Sequence, residues 1–240
     1  MDTKRVYYEH DDQTGTSIGV EYEKYLYQSQ SKYQNIEIIE TKKYGNAMYL
    51  DGCFMLSEKN QDYYHDKCIN LVPTNSKRVL TIGGGDFAIA RMLCDRNNVR
   101  DIYIVEIDGE VVNVSRKYFP KHFKLTSRNS KKITLIIQNG EKFIKENQEK
   151  FDCIIIDSTD PVDNAKVLIS KPFLKGCYRT LSKNGRIIQQ SGSPLKDMRK
   201  IIEPLKDKYL EIGFKSIQIH EFPMPLYPTG TWSFITAKRA

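Results

Sequence analysis

The chemistry in this sequence starts from four carboxylates. Asp86, Glu106, Asp157 and Asp160 each stand at, or just past, the end of a short apolar run. A strand that ends in an acid delivers it to the rim of the sheet, where ligands of open α/β sheets gather. Four such acids in a chain of formal net charge +7 describe an anionic pocket inside a cationic body. That pocket suits a cationic ligand or a metal ion. The metal is the weaker choice, because no histidine accompanies the acids in sequence and the neighbouring glycine loop lacks a phosphate-binding lysine. Each acid alone is also a good helix cap or turn former, so their grouping carries the inference.

The surroundings of Asp86 narrow the ligand. Lys77–Asp86 reads KRVLTIGGGD, in which Val79–Ile82 is a β-branched apolar run of the kind that forms buried parallel strands. Gly83, Gly84 and Gly85 end it, and a helix-like pattern resumes at Ala88. Strand, glycine turn and helix bring a ligand against bare backbone and a helix N-terminus. Glu106 closes the next strand 23 residues after Gly83, about the spacing at which a doubly wound fold sets an acid on ribose hydroxyls. Asn139 and Gly140 follow the third strand, and Gln190, Ser191 and Gly192 the fifth. Asp86 repels phosphate, which argues against an ordinary dinucleotide. An adenosine without phosphate but with a positive charge fits: S-adenosylmethionine or its decarboxylated form.

Positioning these residues takes an alternating α/β sheet. Strands are expected at Val79–Ile82, Ile102–Glu106, Ile133–Ile137, Cys153–Ile156 and Arg186–Gln190, with two more at Ile217–His220 and Thr231–Ala237. Helices are expected at Ala88–Asp95, Glu110–Tyr118, Glu141–Asn147, Lys171–Thr180 and Lys196–Leu210, the last capped by Ser193 and kinked at Pro204. A further helical stretch from Ser57 carries Tyr63, Tyr64, His65 and Asp66, and a tyrosine there is by default core packing. Residues 1–57 read as a small N-terminal β domain, a hairpin or short meander with strands at Tyr33–Glu40, Ala47–Leu50 and Cys53–Leu56. It is too small to stand alone and must pack on residues 58–240, the Rossmann-like domain, or on another subunit.

Composition excludes other classes. The chain of 240 residues is 40% apolar and 28% charged, which is globular. No run reaches the ~18 apolar residues that cross a membrane, and the polar MDTKRVYYEHDDQ start is no signal peptide. Five scattered cysteines read as reduced thiols of a cytoplasmic protein, with no metal site. The basic residues are spread along the chain as a lysine-rich surface and form no nucleic-acid groove.

Taken together, SKYQNIEI (31–38), YLDG (49–52), SEKNQDYYHD (57–66), VLTIGGGD (79–86), VEIDGEVVNVSRKYFP (105–120), FDCIIIDSTDPV (151–162) and YPTGTWSF (227–234) resemble the polyamine aminopropyltransferases, the spermidine synthase family. The resemblance runs along most of the chain, and DSTDP with YPTGTW is its most specific part. It implies a class I methyltransferase-type sheet and transfer of an aminopropyl group from decarboxylated S-adenosylmethionine, a co-substrate and not a tightly bound cofactor, to a polyamine. Putrescine is the expected acceptor, spermidine and methylthioadenosine the products. By the same resemblance Asp160 is the general base with Tyr64 its hydrogen-bonding partner, and Asp157 helps seat the amine. Asp86 holds the aminopropyl end of the donor, Glu106 takes the ribose, Asn139 and Gly140 border the adenine, and Gly83–Gly85 form the donor turn. His65, Gln190 and Tyr227 join the amine site. A homodimer or homotetramer through the N-terminal β domain is implied too.

Several positions depart from the family pattern. Phe87 and Ala88 replace two glycines, which is expected to narrow the space beside the donor. Asn60-Gln61 replaces an acidic pair, Asp163-Asn164 a Gly-Pro, and Gly192 a glutamate expected to bind the far amine. The sequence also ends soon after Phe234, short of the tail many members carry. Two alternatives therefore stay open: a putrescine-type N-methyltransferase using S-adenosylmethionine, and a catalytically silent polyamine-binding partner subunit.

Overall fold

Apolar β-branched runs separated by amphipathic stretches build the molecule. The computed structural model describes residues 5–60, 62–159 and 163–240. Six strands come first: β1 (Arg5–Asp11), β2 (Thr16–Tyr22), β3 (Lys24–Gln30), β4 (Asn35–Thr41), β5 (Gly45–Leu50) and β6 (Cys53–Ser57). β1 and β2 form a hairpin, and β3–β6 form an antiparallel sheet in chain order. The expected hairpin or meander is thus one part of a larger assembly. β1–β3 escape a reading by pattern because few of their residues are buried, so apolar alternation is absent.

The remaining elements are α1 (Asp62–Leu71), β7 (Arg78–Gly83), α2 (Ala88–Cys94), β8 (Asp101–Glu106), α3 (Gly109–Tyr118), α4 (Ser127–Ser130), β9 (Ile133–Ile137), α5 (Gly140–Glu146), β10 (Phe151–Asp157), α6 (Lys171–Thr180), β11 (Leu181–Gln190), α7 (Pro194–Asp197), α8 (Glu203–Ile212), β12 (Lys215–Pro223) and β13 (Thr231–Lys238). They include a seven-stranded sheet of order β12-β13-β11-β10-β7-β8-β9. The five strands β11, β10, β7, β8 and β9 run parallel and β13 runs antiparallel to both its neighbours. This is a Rossmann-like, methyltransferase-type sheet carrying a small N-terminal β domain. The expected long helix after Ser193 is broken earlier than Pro204 suggested. A π-helical turn at Met198–Ile202 separates α7 from α8, and Pro204 sits in the first turn of α8, where its missing N–H costs nothing. No helix among the described residues is long and apolar enough to cross a membrane.

The N-terminal sheet does not stand apart. Ile36, Ile38, Met48, Leu50 and Leu56 share a core with Val111, Val114 and Phe119 around α3. Tyr118 donates to the Leu26 carbonyl at 2.8 Å, and the Asn46 amide donates to the Tyr118 carbonyl at 2.9 Å. Ser31 donates at 2.6 Å to Asp108, whose other oxygen caps α3 through the Glu110 N–H at 3.0 Å. The same carboxylate therefore starts a helix of one domain and ties down a loop of the other.

Candidate active site

β7 is the strand at which the sheet changes direction of growth: β8 and β9 extend one side, β10 and β11 the other. A crevice opens beyond the carboxyl ends at such a point. Here it is a cavity of about 600 Å³. Its floor is the glycine turn. Gly83 pairs with Asp157 across β7 and β10, and a Cβ on Gly83 would lie 1.9 Å from the Asp157 carbonyl oxygen. Its φ of +85° adds a second demand for glycine. The Gly84 N–H donates to that same carbonyl at 3.1 Å, so the turn is stapled to the end of β10.

Three of the four predicted acids, Asp86, Glu106 and Asp157, line this one cavity. Asp160 lies outside the described residues. Glu106 is 7% exposed and accepts the Gly85 N–H at 3.1 Å through one oxygen and the Asp108 N–H at 3.0 Å through the other. A carboxylate has about four acceptor positions, so these bonds leave room for a ligand to donate as well. Burial outweighs those two bonds and pushes the Glu106 carboxyl up to about 7.

Asp86 follows the turn and accepts the N–H of Ala88, the first residue of α2, at 3.0 Å. Its second oxygen lies 3.3 Å from His65 Nε2. Burial opposes both charges of this pair, yet the mutual contact wins: the Asp86 carboxyl is held below its usual range and the His65 imidazole above its own. His122 Nδ1 meets the Asp86 carbonyl at 2.9 Å, a contact with no signal in the sequence. Asp157 accepts the Tyr64 hydroxyl at 2.6 Å. Burial, then the charge of Asp86, raise its carboxyl to about 6. Desolvation and the Asp157 charge drive the Tyr64 phenol well above its ordinary value, so it stays a donor. Tyr64 and His65 are buried, as the core-packing default expects, while Tyr63 is 45% exposed.

Asn139 and Gly140 also line the cavity, but the Asn139 side-chain oxygen is already engaged, accepting the Lys142 N–H at 3.0 Å as the cap of α5. Tyr227 lines it too, set edge-on to Trp232 with ring centroids 4.7 Å apart. Gln190 is in the wall, yet its groups serve the protein. Its amide donates to the Ser158 and Thr159 carbonyls at 3.1 and 3.2 Å, and its oxygen accepts the Trp232 indole N–H at 3.1 Å. It thereby fixes the chain leading into Asp160.

Phe87 does not narrow the cavity. Its backbone is left-handed (φ +67°), which turns the ring into the core to stack on Phe123 at 4.5 Å. Gly192 has φ +84°, and a Cβ there would lie 2.6 Å from an Asp197 oxygen. The backbone at that position is therefore shaped for glycine and has no room for a larger residue. Reading the sequence missed Glu9, Asp51, Lys196 and Trp232, all of which line the cavity. The YPTGTW block was a pointer to Trp232; Glu9 and Lys196 lie in segments without a motif.

Comparison with known proteins matches this arrangement to one family. Residues 54–240 match the family model described as a spermine/spermidine synthase domain, and residues 6–58 the one described as a spermidine synthase tetramerisation domain. The polyamine aminopropyltransferase of Methanocaldococcus jannaschii is 37% identical, the match covering 93% of this chain and 76% of that protein. That of Stenotrophomonas maltophilia is 34% identical, covering 99% and 84%. A crystal structure of spermidine synthase in complex with the transition-state analogue AdoDATO superposes with TM-score 0.86 at 29% identity, covering 99% of this chain and 82% of that one. The Thermotoga maritima spermidine synthase gives 0.84 at 29% identity, covering 99% and 81%.

Proposed function

The chain belongs to the spermine/spermidine synthase family, and from that premise we propose that it moves the aminopropyl group of decarboxylated S-adenosylmethionine to a polyamine, putrescine foremost. Methylthioadenosine is the other product. The observation that carries this reading is the single cavity in which Glu106, Asp86 and the Tyr64–Asp157 pair follow one another along the sheet's rim. Glu106 takes the ribose hydroxyls, with Gly83–Gly85 beneath the nucleoside and Asn139 and Gly140 beside the adenine. Asp86, kept ionised by His65, faces the cationic end of the donor.

The acceptor needs a free electron pair. An alkylamine titrates near ~10.4, so deprotonating it at neutral pH costs about 4–5 kcal/mol. Asp157 and Tyr64 seat the amine, with Tyr227 and Gln190 in the wall behind it. Asp160 takes the proton as nitrogen attacks the carbon next to the sulfonium. The new C–N bond forms as the C–S bond breaks, and the electron pair returns to sulfur, which leaves neutral. An anionic site is what lets two cations meet: an opposite charge at ~4 Å contributes roughly 4 kcal/mol at an effective dielectric of 20.

The β1–β6 region, matching the tetramerisation model, supports assembly as a homodimer or homotetramer. We place the protein in the cytoplasm, without nucleic-acid or membrane partners.

The test is turnover with decarboxylated S-adenosylmethionine and a panel of amines, read as methylthioadenosine. Product with putrescine supports the proposal. S-adenosylhomocysteine formed only when S-adenosylmethionine is the donor points to a methyltransferase, and binding without product from any amine to a silent partner subunit.

A further inference from the structure

Five carboxylates and one basic side chain of the Lys/Arg type line the cavity among the described residues: Glu9, Asp51, Asp86, Glu106 and Asp157 against Lys196. Lys196 is out of keeping with a pocket built for cations, and it is firmly held. Its ammonium lies 2.6 Å from an Asp11 oxygen, with side-chain exposures of 13% and 4%. Asp11 is itself fixed by the Gln13 and Thr14 N–H groups at 2.9 and 3.0 Å, and Gln13 reaches back to the Lys196 carbonyl at 2.6 Å. Burial opposes the Asp11 charge, yet Lys196 and these bonds hold its carboxyl below the usual range. The pair joins the β1–β2 hairpin to α7. Asp11 does not line the cavity and Lys196 does, so Lys196 is the member of the pair that borders a ligand.

Where the cation stands follows from the topology. α7 comes directly off β11, and its cap Ser193 is bonded to Thr229 at 2.5 Å, next to Tyr227 and Trp232. β11 lies three strand steps from β8, which carries Glu106. At ~4.8 Å a step that is roughly 14 Å. Lys196 thus marks the end of the cavity opposite the proposed ribose acid, beyond the Tyr64–Asp157 pair.

We propose that Lys196 is a specificity-determining residue: its ammonium repels an acceptor that would extend a further ammonium to the β11 end. The enzyme therefore favours a short diamine over longer triamines and tetraamines. This rests on the proposed aminopropyl transfer for its biological meaning, but it concerns binding and is tested as such.

The variant Asp11→Asn/Lys196→Met removes both charges and avoids stranding either one in a buried place. Lys196→Arg retains the cation. Binding of putrescine and of spermidine is measured by calorimetry with methylthioadenosine present, together with kcat/KM for each amine. In the double variant the spermidine-to-putrescine ratio rises about tenfold or more in both readouts, while Lys196→Arg keeps the original ratio and methylthioadenosine affinity stays unchanged. An unaltered ratio in a folded double variant overturns the inference. A shifted binding ratio without turnover in any form leaves it standing and removes the transfer reading instead.

Discussion

Glu106 makes the ribose assignment testable through pH. Its free carboxyl sits near 7 because burial outweighs the two N–H groups bonded to it. Two ribose hydroxyls can donate to the oxygens only while the group is ionised, so a nucleoside binds that form. Below pH 7 the free protein carries a proton on Glu106 that binding must expel; acid therefore opposes binding. From pH 8 to pH 6 the ionised fraction falls from ~0.9 to ~0.1, which weakens affinity roughly tenfold, or ~1.4 kcal/mol. Methylthioadenosine is the right probe, because its neutral sulfur asks nothing of Asp86 or Asp157, whose own titration would otherwise add to the slope. Calorimetry in two buffers of different ionisation enthalpy should count ~0.9 protons released at pH 6 and ~0.1 at pH 8. Glu106→Gln should weaken binding and flatten the profile. A wild-type affinity that stays within about twofold across this range refutes the assignment, as does an equal slope in Glu106→Gln.

The other expectations follow from single contacts. Asp160→Asn should lower turnover by ~10² or more through loss of the proposed base; a rate equal to wild type removes Asp160 from the mechanism. Tyr64→Phe deletes the 2.6 Å bond that restrains the Asp157 carboxyl, so that group rises further above about 6 and the acidic limb of the pH–rate profile moves to higher pH; a fixed limb uncouples the pair from catalysis. Gly83→Ala would set a methyl 1.9 Å from the Asp157 carbonyl at φ +85°, which should cost upwards of ~3 kcal/mol. A denaturant midpoint like that of wild type contradicts that contact.

Much of the rim was legible because its residues sit where periodicity changes. The glycine turn, Glu106 and Asp157 each end a run of β-branched residues whose burial requires a parallel strand, and α5 and α6 kept their expected places. What the sequence hides is of two kinds. β1–β3 are exposed strands, with Tyr, Glu and Lys where alternation should show, so their pairing is fixed by partners and not by their own pattern. Contacts made across long stretches of chain are the other kind. Asp11 finds Lys196 across 185 residues, and His122 reaches the Asp86 carbonyl from a loop without a motif. Phe87 was misread for a third reason: the sequence gives its bulk, while a left-handed backbone decides which way that bulk points.

The position of Asp157 on the pH scale bears on the chemistry of the whole rim. Moving a proton from an alkylammonium at ~10.4 to an ordinary exposed aspartate at ~3.9 is uphill by about 9 kcal/mol. To a carboxyl at about 6, the value burial and Asp86 impose on Asp157, it is uphill by about 6 kcal/mol. The ~3 kcal/mol difference is worth about 10² in rate if proton removal is felt in the transition state. The same crowding of Asp86 and Asp157 that suits the rim to cations therefore makes Asp157 the better proton acceptor of the two. His65 limits the effect to one of them, by keeping Asp86 ionised beside it. Two neighbouring aspartates are thus driven in opposite directions by their partners: on the proposed reading Asp86 is a fixed negative charge for the donor, and Asp157 a raised carboxyl that seats the amine and can share the proton that Asp160 takes.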